Sequence, residues 1–485
     1  MDKVLAKFYE QTKDTLNIKL DIIWSSGADH REKMPLIMSN QENADLVFDA
    51  YWMNLNRLSS QGAYADISSY FNNDNYPGLK KAFPPEYIAQ VTNGDGSIYA
   101  IPLTQAAEDI QVIILRKDLR EKYGMAPIDS NEDLAAYFQH VQADIKSGAL
   151  FMIAPFGVGG SRAFYYLDDD IIEKRARNIF NIDGSGNGVG MMFDVALSED
   201  GKKVIGAATL GDPDSAYAMF PPPYNRNTRN DRVVYKITKW VAYAQRDRQS
   251  ITDLNQFYAE KIAAKEGNIS NYLADARTME KIGKAIEMYM YIPTMRNREK
   301  IVTTPLTAWN FLCVPRQSKK IDKTMAFIDW IFRSRENHDL FEFGIEGEDW
   351  LAVGDDEFQD LSPANKYVFP GYEMTWNPNY IRIDTNYPED IKEIFRYQND
   401  PASYIPSPIA GFTFNNEADA ALRTAYAAVA GIQSTYRPIL MMGLAETPEK
   451  TKAALEEYYT QVKNAGLDVI RQAIIDQVQK HLDSR

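Results

Sequence analysis

The sequence predicts an α/β protein with more than one hydrophobic core. Its 485 residues exceed the roughly 250–300 that a single core usually serves. Apolar residues are spaced as in a helix over 2–15, and the run IKLDIIW at 18–24 reads as a strand. A helix over 29–40 and a buried strand over 45–48 follow. This alternation of helices and strands predicts a parallel sheet covered by helices.

Further elements can be assigned in chain order. The turn NGDGS at 93–97 precedes a strand over 98–102, and the run IQVIIL at 110–115 predicts another strand. Residues 311–314 form a short apolar strand, and residues 453–482 carry helical apolar spacing. An amphipathic helix is predicted where five apolar residues share one face: Met325, Phe327, Ile328, Ile331 and Phe332.

Composition and charge narrow the classes of function. Hydrophobic residues make up 45% and charged residues 25%, as in ordinary globular proteins. The net charge of −14 disfavours nucleic acid as a partner, because phosphate neutralisation requires a basic surface. The single cysteine, Cys313, rules out a disulfide within the chain. Because it lies in an apolar run, we expect it to be a small buried side chain.

Metal, nucleotide and covalent-catalysis motifs are not found in the sequence. The four histidines do not fall within one helical turn of each other, so no HExxH-type pair exists. The segment 181–188 (NIDGSGNG) alternates oxygen-bearing residues but lacks the closing glutamate of an EF-hand loop. Neither GxxxxGK[ST] nor GxSxG occurs. We therefore predict no metal, no cofactor and no catalytic residues. The sequence contains no run of about 18 apolar residues, so no membrane-spanning helix is predicted.

Residues 305–350 are the most informative stretch of the chain. They read PLTAWNFLCVPRQSKKIDKTMAFIDWIFRSRENHDLFEFGIEGEDW, in which a polar-aromatic turn leads to a short strand, a break and two helices. Together with AYWMNLNRLSSQGAYADIS, GSIYAIPLTQ, LRKDLREKYG and SPIAGFTF, this order resembles the extracellular solute-binding proteins, family 1, of bacterial ABC importers. The similarity is strongest to the long oligosaccharide-type branch, which has an extra C-terminal region.

The resemblance implies a two-lobe, class II periplasmic-binding-protein-like fold, with crossover hinge strands and a helical C-terminal extension. Lobe one would contain residues 1–109 and 306–400, and lobe two residues 110–305 and 401–485. A carbohydrate would bind in the interlobe cleft and draw the lobes together about the hinges. The protein would then deliver this ligand to the permease subunits, as a monomer and without chemistry of its own.

The resemblance also implies an extracellular lipoprotein, tethered to the outer face of the bacterial cell membrane. Relatives begin with a lipoprotein signal that ends in a lipid-modified cysteine, whereas this sequence starts Met1-Asp2-Lys3-Val4 on a helical pattern. We therefore expect the signal, the anchor cysteine and the first strand of the N-terminal sheet to be missing from this chain.

Sugar ligands require aromatic faces for their C–H surfaces and planar polar groups for their hydroxyls. Ligands of open α/β sheets bind beyond the carboxyl ends of strands. The resemblance implies that residues at the two lobe crossings also contact the ligand. In lobe two, Tyr224 and Arg226 of a polar loop are further candidates. The predicted ligand-binding residues are Trp24, Tyr51, Trp52, Gln105, Asp109, Phe156, Trp309, Asn310, Trp376 and Phe412.

Two alternatives remain open at this stage. A secreted glycoside hydrolase or lyase would also carry aromatic and acidic residues, and would need two carboxyl groups at a defined separation. A peptide-binding member of the same fold would instead need amides that match a peptide backbone and a charged pocket for a terminus.

Overall fold

The computed structural model describes most of the chain. Described are residues 1–39, 44–51, 53–93, 95–104, 110–148, 154–156, 167, 178–183, 192–243, 253–303, 307–361, 367, 371–410, 412, 414–416, 418–441 and 443–484. The chain divides into two units: unit 1 contains residues 1–108 and 305–401, and unit 2 contains residues 109–304 and 402–485.

Unit 1 combines helices with two small sheets. Its described helices are α1 (Asp2–Thr12), α2 (Gly27–Ser39), α3 (Leu55–Ser60), α4 (Pro77–Ala82), α5 (Pro85–Ile88), α13 (Ile321–Ile331), α14 (Arg335–Glu342) and α15 (Glu389–Asn399). Its described strands are β1 (Val47–Ala50), β2 (Ile101–Leu103), β11 (Asn310–Cys313), β12 (Trp350–Val353), β13 (Glu357–Asp360) and β14 (Ile383–Asp384).

Unit 2 contains the remaining elements. Its described helices are α6 (Lys117–Lys122), α7 (Asn131–Ser147), α8 (Thr228–Asp231), α9 (Ile237–Val241), α10 (Asp253–Tyr258), α11 (Tyr272–Glu280), α12 (Pro293–Arg296), α16 (Ala420–Met441), α17 (Pro448–Asn464) and α18 (Leu467–Asp483). Its described strands are β3 (Gln111–Arg116), β4 (Ala154–Phe156), β5 (Ile179–Asp183), β6 (Met192–Leu197), β7 (Val204–Thr209), β8 (Ile262–Asn268), β9 (Ile286–Tyr289), β10 (Ile301–Thr303) and β15 (Tyr404–Pro406).

The first sheet of unit 1 has the strand order β1-β11-β2. Strand β11 is antiparallel to both neighbours, so β1 and β2 run in the same direction without being adjacent. The prediction of a parallel sheet is therefore wrong for these strand pairs. Both β1 and β2 end at the edge where β11 begins.

The main core of unit 1 forms where α1 meets α13 and α14. The Phe8 ring of α1 makes edge-to-face contacts with Phe327, Trp330 and Phe341, with centroids 4.9–5.5 Å apart. The five apolar residues predicted to share one face of the 321–332 segment are all buried in this core, which confirms that prediction. Cys313 is buried as expected, and burial raises the pKa of its thiol well above the ordinary value.

The strand predicted over 18–24 is wrong, since residues 17–26 belong to no helix or strand. Ile18 and Leu20 do pack against the core, as the alternating pattern requires. However, the Leu20 amide donates to the Tyr9 hydroxyl (3.0 Å), and this hydroxyl donates to the Leu20 carbonyl (3.2 Å). A side chain of α1 thus satisfies backbone groups that a neighbouring strand would otherwise pair.

Unit 2 contains a sheet in the order β4-β8-β3-β9 and an antiparallel sheet in the order β5-β6-β7. The apolar faces of β5–β7 pack with α16, α17 and α18 in one core. Ile470, Ile474 and Val478 of α18 are buried there, as their helical spacing predicted. In the described parts of the chain, no helix is both long enough and apolar enough to cross a membrane.

Candidate functional site

One edge of the β1-β11-β2 sheet collects several of the predicted ligand-binding residues. In the register of the ladder, Ala50 is opposite Asn310, and Asn310 is opposite Leu103. Tyr51 follows the end of β1, Thr104 follows the end of β2, and Trp309 precedes the start of β11. The structure therefore brings Tyr51, Trp309 and Asn310 together from positions about 260 residues apart in the sequence.

The Tyr51 and Trp309 rings form the exposed part of this edge. The Tyr51 amide donates a hydrogen bond to the Trp309 carbonyl oxygen (3.1 Å), which extends the ladder past the end of β1. The two rings meet edge to face with centroids 6.4 Å apart, and the Tyr51 ring also contacts Phe311 with centroids 4.7 Å apart. Trp309 remains 46% exposed and Tyr51 39% exposed, so both rings offer surface to a ligand.

Asp49 holds the turn that carries Tyr51. Its side chain is fully buried, and one carboxyl oxygen accepts hydrogen bonds from the amides of Ala50 (2.8 Å) and Asn54 (3.0 Å). The other oxygen accepts from the Tyr64 hydroxyl (2.5 Å). The Asn54 side chain donates in turn to the Arg31 carbonyl of α2 (2.9 Å), which ties the end of the turn to a helix.

The segment before β11 is held by side chains from elsewhere in unit 1. The Gln90 side chain accepts from the buried Ala308 amide (2.7 Å) and donates to the Tyr87 carbonyl (3.0 Å). The Thr104 hydroxyl lies 3.5 Å from the Thr307 carbonyl oxygen. Sequence reasoning missed Asp49 and Gln90, since only an aspartate at a strand end hinted at the former and nothing in local spacing indicated the latter.

Trp24 lies in the irregular segment that leads into α2 and is 50% exposed. Ser26 begins that helix, because its hydroxyl accepts from the Asp29 amide (3.1 Å). One turn later, the His30 ring lies 2.7 Å from the Phe48 carbonyl oxygen of β1. The start of α2 is thus fixed to the strand that leads to Tyr51, although the structure does not assign Trp24 to a strand end as predicted.

Two predicted residues pack within their own units. Trp376 packs against the main core of unit 1, beside Gly371, to whose carbonyl its amide donates (2.9 Å). Phe412 packs against the core of unit 2 and meets the His481 ring edge to face, with centroids 5.7 Å apart.

The remaining predictions divide into two groups. In unit 2, Tyr224 is buried and Arg226 pairs with Asp231 (3.0 Å). Trp52, Gln105 and Asp109 lie outside the described residues. Only the backbone of Phe156 is described.

The chemistry of the described edge is that of a binding surface with neutral groups. Tyr51 is 39% exposed as a residue, but the protein atoms around its hydroxyl, with a smaller effect of Cys313, raise the pKa of the phenol, so the hydroxyl stays protonated at neutral pH. Asn310 carries a neutral amide on the opposite face of β11 from Trp309 and Phe311, because side chains alternate along a strand. Among the residues that the structure describes, no three histidine, cysteine or acidic side chains form a group that could hold a metal ion.

Comparisons with known proteins give consistent matches. The sequence model of the bacterial extracellular solute-binding protein family matches residues 1–337, and a domain of unknown function (DUF3502) matches residues 408–483. A carbohydrate ABC transporter substrate-binding protein of Streptococcus pneumoniae serotype 4 is 22% identical, and the match covers 100% of this chain and 88% of that protein.

Solved structures are similar over nearly the whole length. The N-glycan transport solute-binding protein of Streptococcus pneumoniae gives a TM-score of 0.66 at 20% identity, covering 99% of this chain and 96% of that one. An HMO-binding, ABC-transporter-associated solute-binding protein of Bifidobacterium longum infantis gives a TM-score of 0.60 at 13% identity, covering 99% and 95%. These likenesses show a class II periplasmic-binding-protein-like fold with α/β lobes, as the sequence predicted.

Proposed function

The chain belongs to the bacterial extracellular solute-binding protein family, and from this premise we propose that it is the carbohydrate-binding component of an ABC importer. In this proposal, unit 1 and unit 2 are the two lobes of the binding protein, and its ligand is an oligosaccharide. The carbohydrate ABC transporter relative supports the class of ligand. Support also comes from the structures of the pneumococcal N-glycan transport protein in complex with Man1GlcNAc and with Man5GlcNAc.

The observation that carries the proposal is the exposed ring pair at the sheet edge. Tyr51 and Trp309 present aromatic surface at right angles, and backbone hydrogen bonding fixes the segments that bear them. Sugars place apolar C–H faces on such rings, which leaves their hydroxyl groups at the ring margins to hydrogen-bond with neighbouring polar groups. Ring surface left exposed at a fixed sheet edge is suited to ligand contact.

The ligand of this proposal is a neutral oligosaccharide. The net charge of −14 gives a negative average potential, which repels polyanions such as uronic acid polymers at low salt. The Tyr51 phenol is neutral at physiological pH, and Asn310 is neutral at any pH. Neutral hydrogen-bonding groups with aromatic faces match the hydroxyls and C–H faces of neutral sugars.

Partners and location follow from the same premise. Membership of an extracellular solute-binding family implies an extracellular or periplasmic location. The finer proposal is a monomer, tethered to the outer face of the bacterial membrane, that delivers its ligand to the permease subunits. Family members bind substrates and are not enzymes, and the proposal extends this property to the present chain.

A thermal-shift screen against mono- and oligosaccharides tests the proposal, with peptides and alginate oligomers as separate arms. A ligand at one hundred times its dissociation constant stabilises the folded protein by about 2.7 kcal/mol, which gives a clear shift in Tm. Stabilisation by a neutral oligosaccharide is expected. Stabilisation only by peptides, or only by alginate oligomers, would contradict the ligand class, and chromatographic detection of hydrolysed or cleaved sugar would contradict a purely binding role.

A variant of the ring pair then tests the site by calorimetric titration with the best sugar. Trp309→Ala is expected to weaken binding about tenfold, since ~1.4 kcal/mol corresponds to a factor of ten in affinity. Tyr235→Ala is the matched control, because Tyr235 is an exposed aromatic residue of unit 2 that lies outside this sheet edge. Equal affinities of both variants and the parent would remove the ring pair from the site.

Ligand-driven closure of the two lobes is also part of the proposal. Small-angle X-ray scattering is expected to give a smaller radius of gyration with saturating sugar than without it. An unchanged radius with bound sugar would exclude closure while leaving the binding function intact.

A further inference from the structure

Asp49 is a buried residue of β1 whose carboxyl group accepts hydrogen bonds from the turn that follows the strand and from Tyr64. The side chain is fully buried, and the donors that the structure describes for it, the Ala50 and Asn54 amides and the Tyr64 hydroxyl, belong to unit 1. Burying a carboxyl group is unfavourable unless hydrogen bonds replace its water. A buried apolar residue would fill this position at lower cost, so the carboxyl group is explained by the groups that it binds.

Two of the amides that donate to Asp49 lie on either side of Tyr51 in the sequence. One carboxyl oxygen accepts the amides of Ala50 and Asn54, which lie before and after Tyr51 in the turn. A single acceptor thereby links the main chain at Ala50 to the main chain at Asn54. The Tyr51 amide is paired with Trp309, so the backbone of the turn is fixed from β1 and from the segment before β11.

The second carboxyl oxygen anchors the carboxyl group itself. It accepts from the Tyr64 hydroxyl (2.5 Å), and Tyr64 is buried. Burial, followed by Cys313 and Asp49, raises the pKa of the Tyr64 phenol far above its ordinary value, so this hydroxyl remains a donor at any pH of interest. The anchor fixes the direction in which the first oxygen faces the turn.

We propose that Asp49 is a positioning residue for ligand binding, which holds the 50–54 turn so that the Tyr51 ring meets the sugar. The inference rests on the proposed function, because it assigns a role toward the same ligand. Asp49 acts through the backbone of the turn and does not itself touch the ligand, since its side chain is fully buried.

A matched residue allows this role to be separated from general stability. Asp329 is also a buried aspartate of unit 1, and one of its carboxyl oxygens accepts the amides of Gly78 (2.8 Å) and Leu79 (3.2 Å). Asp329 lies on α13 and holds the start of α4 rather than the turn with Tyr51. Removing either carboxyl group should lower the Tm, but only the loss of Asp49 should weaken sugar binding.

The experiment compares Asp49→Ala, Asp49→Asn and Asp329→Ala in Tm and in calorimetric affinity for the sugar identified by the screen. Asp49→Ala is expected to lose about tenfold in affinity, because both amides of the turn lose their acceptor. Asp49→Asn keeps an acceptor oxygen and is expected to retain affinity within about threefold of the parent. Asp329→Ala is expected to bind like the parent. If Asp49→Ala does not fold, Asp49→Ser, whose shorter side chain does not reach both amides, replaces it.

Residue-resolved hydrogen exchange gives a readout without ligand. The Asn54 amide is expected to exchange faster in Asp49→Ala than in the parent, and at the parent rate in Asp329→Ala. Equal affinity losses in Asp49→Ala and Asp329→Ala, or parent-like affinity in Asp49→Ala, would overturn the inference alone. Absence of sugar binding by the parent protein would instead overturn the proposed function, and the inference with it.

Discussion

The Tyr51 amide donates a hydrogen bond to the Trp309 carbonyl oxygen (3.1 Å), and the rings of the same two residues meet at nearly a right angle. The backbone bond continues the β1–β11 ladder by one residue beyond its regular end. Because both main chains are fixed, the relative position of the rings does not depend on side-chain packing alone. Residues that hold either main chain should therefore influence ligand binding.

Substitution of Gln90 is expected to weaken binding through Trp309. In Gln90→Leu the buried Ala308 amide loses its acceptor, at a cost of about 1–3 kcal/mol in the free energy of unfolding. The neighbouring Trp309 should then lose its fixed position, and sugar affinity should fall severalfold in calorimetric titration.

Gln90→Glu is the control for this prediction. Its carboxyl oxygen still accepts from Ala308, whereas the bond donated to the Tyr87 carbonyl is lost. We expect its affinity to lie closer to that of the parent than the affinity of Gln90→Leu does. The same affinity for both variants would mean that the Ala308 bond does not position Trp309.

The stability of unit 1 should depend on pH through Glu342. Burial is the largest effect on this carboxyl group and raises its pKa above the ordinary 4.5, with a smaller contribution from Asp339 in the same direction. His338 and the Thr375 hydroxyl, which bonds to Glu342, lower the pKa and only partly offset burial. The folded state thus binds this proton more tightly than the unfolded chain does.

The sign of the effect follows from this difference. Below pH 4.5 the group is protonated in both states and has little effect, whereas stability is lost as the pH rises through the raised folded-state pKa. Glu342→Gln should therefore be more stable than the parent in urea denaturation at pH 7 and should match it in acid. Glu346→Gln, which removes an exposed carboxyl group of the same segment, should not change this pH profile. A constant difference between Glu342→Gln and the parent at all pH values would refute the assignment.

The parts of the fold that the sequence predicted correctly depend on local spacing. The buried face of α13 and the buried residues of α18 follow from helical periodicity, which operates over a few residues. The strand over 18–24 failed because a strand needs a partner, and the Tyr9 hydroxyl takes that role at Leu20. The alternation of apolar and polar residues within 18–24 indicated that Ile18 and Leu20 face the core. It did not indicate which group would pair with the backbone of this segment.

The candidate site was predictable only in part for a related reason. Tyr51 was predicted because it follows a buried strand, and Trp309 and Asn310 because the resemblance puts a lobe crossing at these positions. The residues that hold them act across the chain: Gln90 and Ala308 are 218 positions apart. No periodicity connects such positions. Trp376 was predicted from its residue type, and its packing beside Gly371 depends on the tertiary structure of the extra region.

The buried ion pair of unit 2 gives a prediction about stability. Lys265 of β8 and Asp275 of α11 are both buried, with 2.7 Å between the ammonium nitrogen and a carboxyl oxygen. Lys265→Met leaves the Asp275 carboxyl group buried with the Tyr258 hydroxyl but without a cation, and should cost about 3–5 kcal/mol in the free energy of unfolding. The double variant Lys265→Met/Asp275→Leu should recover much of this loss, because it buries no charge.

Chemical denaturation of the two single variants and the double variant measures the coupling as a double-mutant cycle. Lys450→Met serves as the control, since Lys450 forms a long, exposed pair with Glu446 (3.9 Å) and should change stability little. Additive losses at Lys265 and Asp275 would show that the two groups do not stabilise each other.

Two glycines should respond in opposite directions to the same substitution. Gly78 lies in α4, where a Cβ atom would be 2.0 Å from the Asp329 carbonyl oxygen and 2.8 Å from the Arg333 amide nitrogen of the neighbouring segment. Both atoms belong to the backbone, so neither can move aside without displacing α13. Gly78→Ala should therefore lower the free energy of unfolding by about 2–3 kcal/mol, as overpacking does elsewhere.

Gly431 lies in the interior of α16 and has open space where a Cβ atom would be placed. Alanine has the higher helix propensity and restricts the unfolded chain, so Gly431→Ala should stabilise the protein by about 0.5–1 kcal/mol. Urea titrations of both variants under the same conditions measure the two changes. A loss of stability in both would mean that α16 is not a regular helix at Gly431, and a gain in both would mean that α4 and α13 are not in direct backbone contact at Gly78.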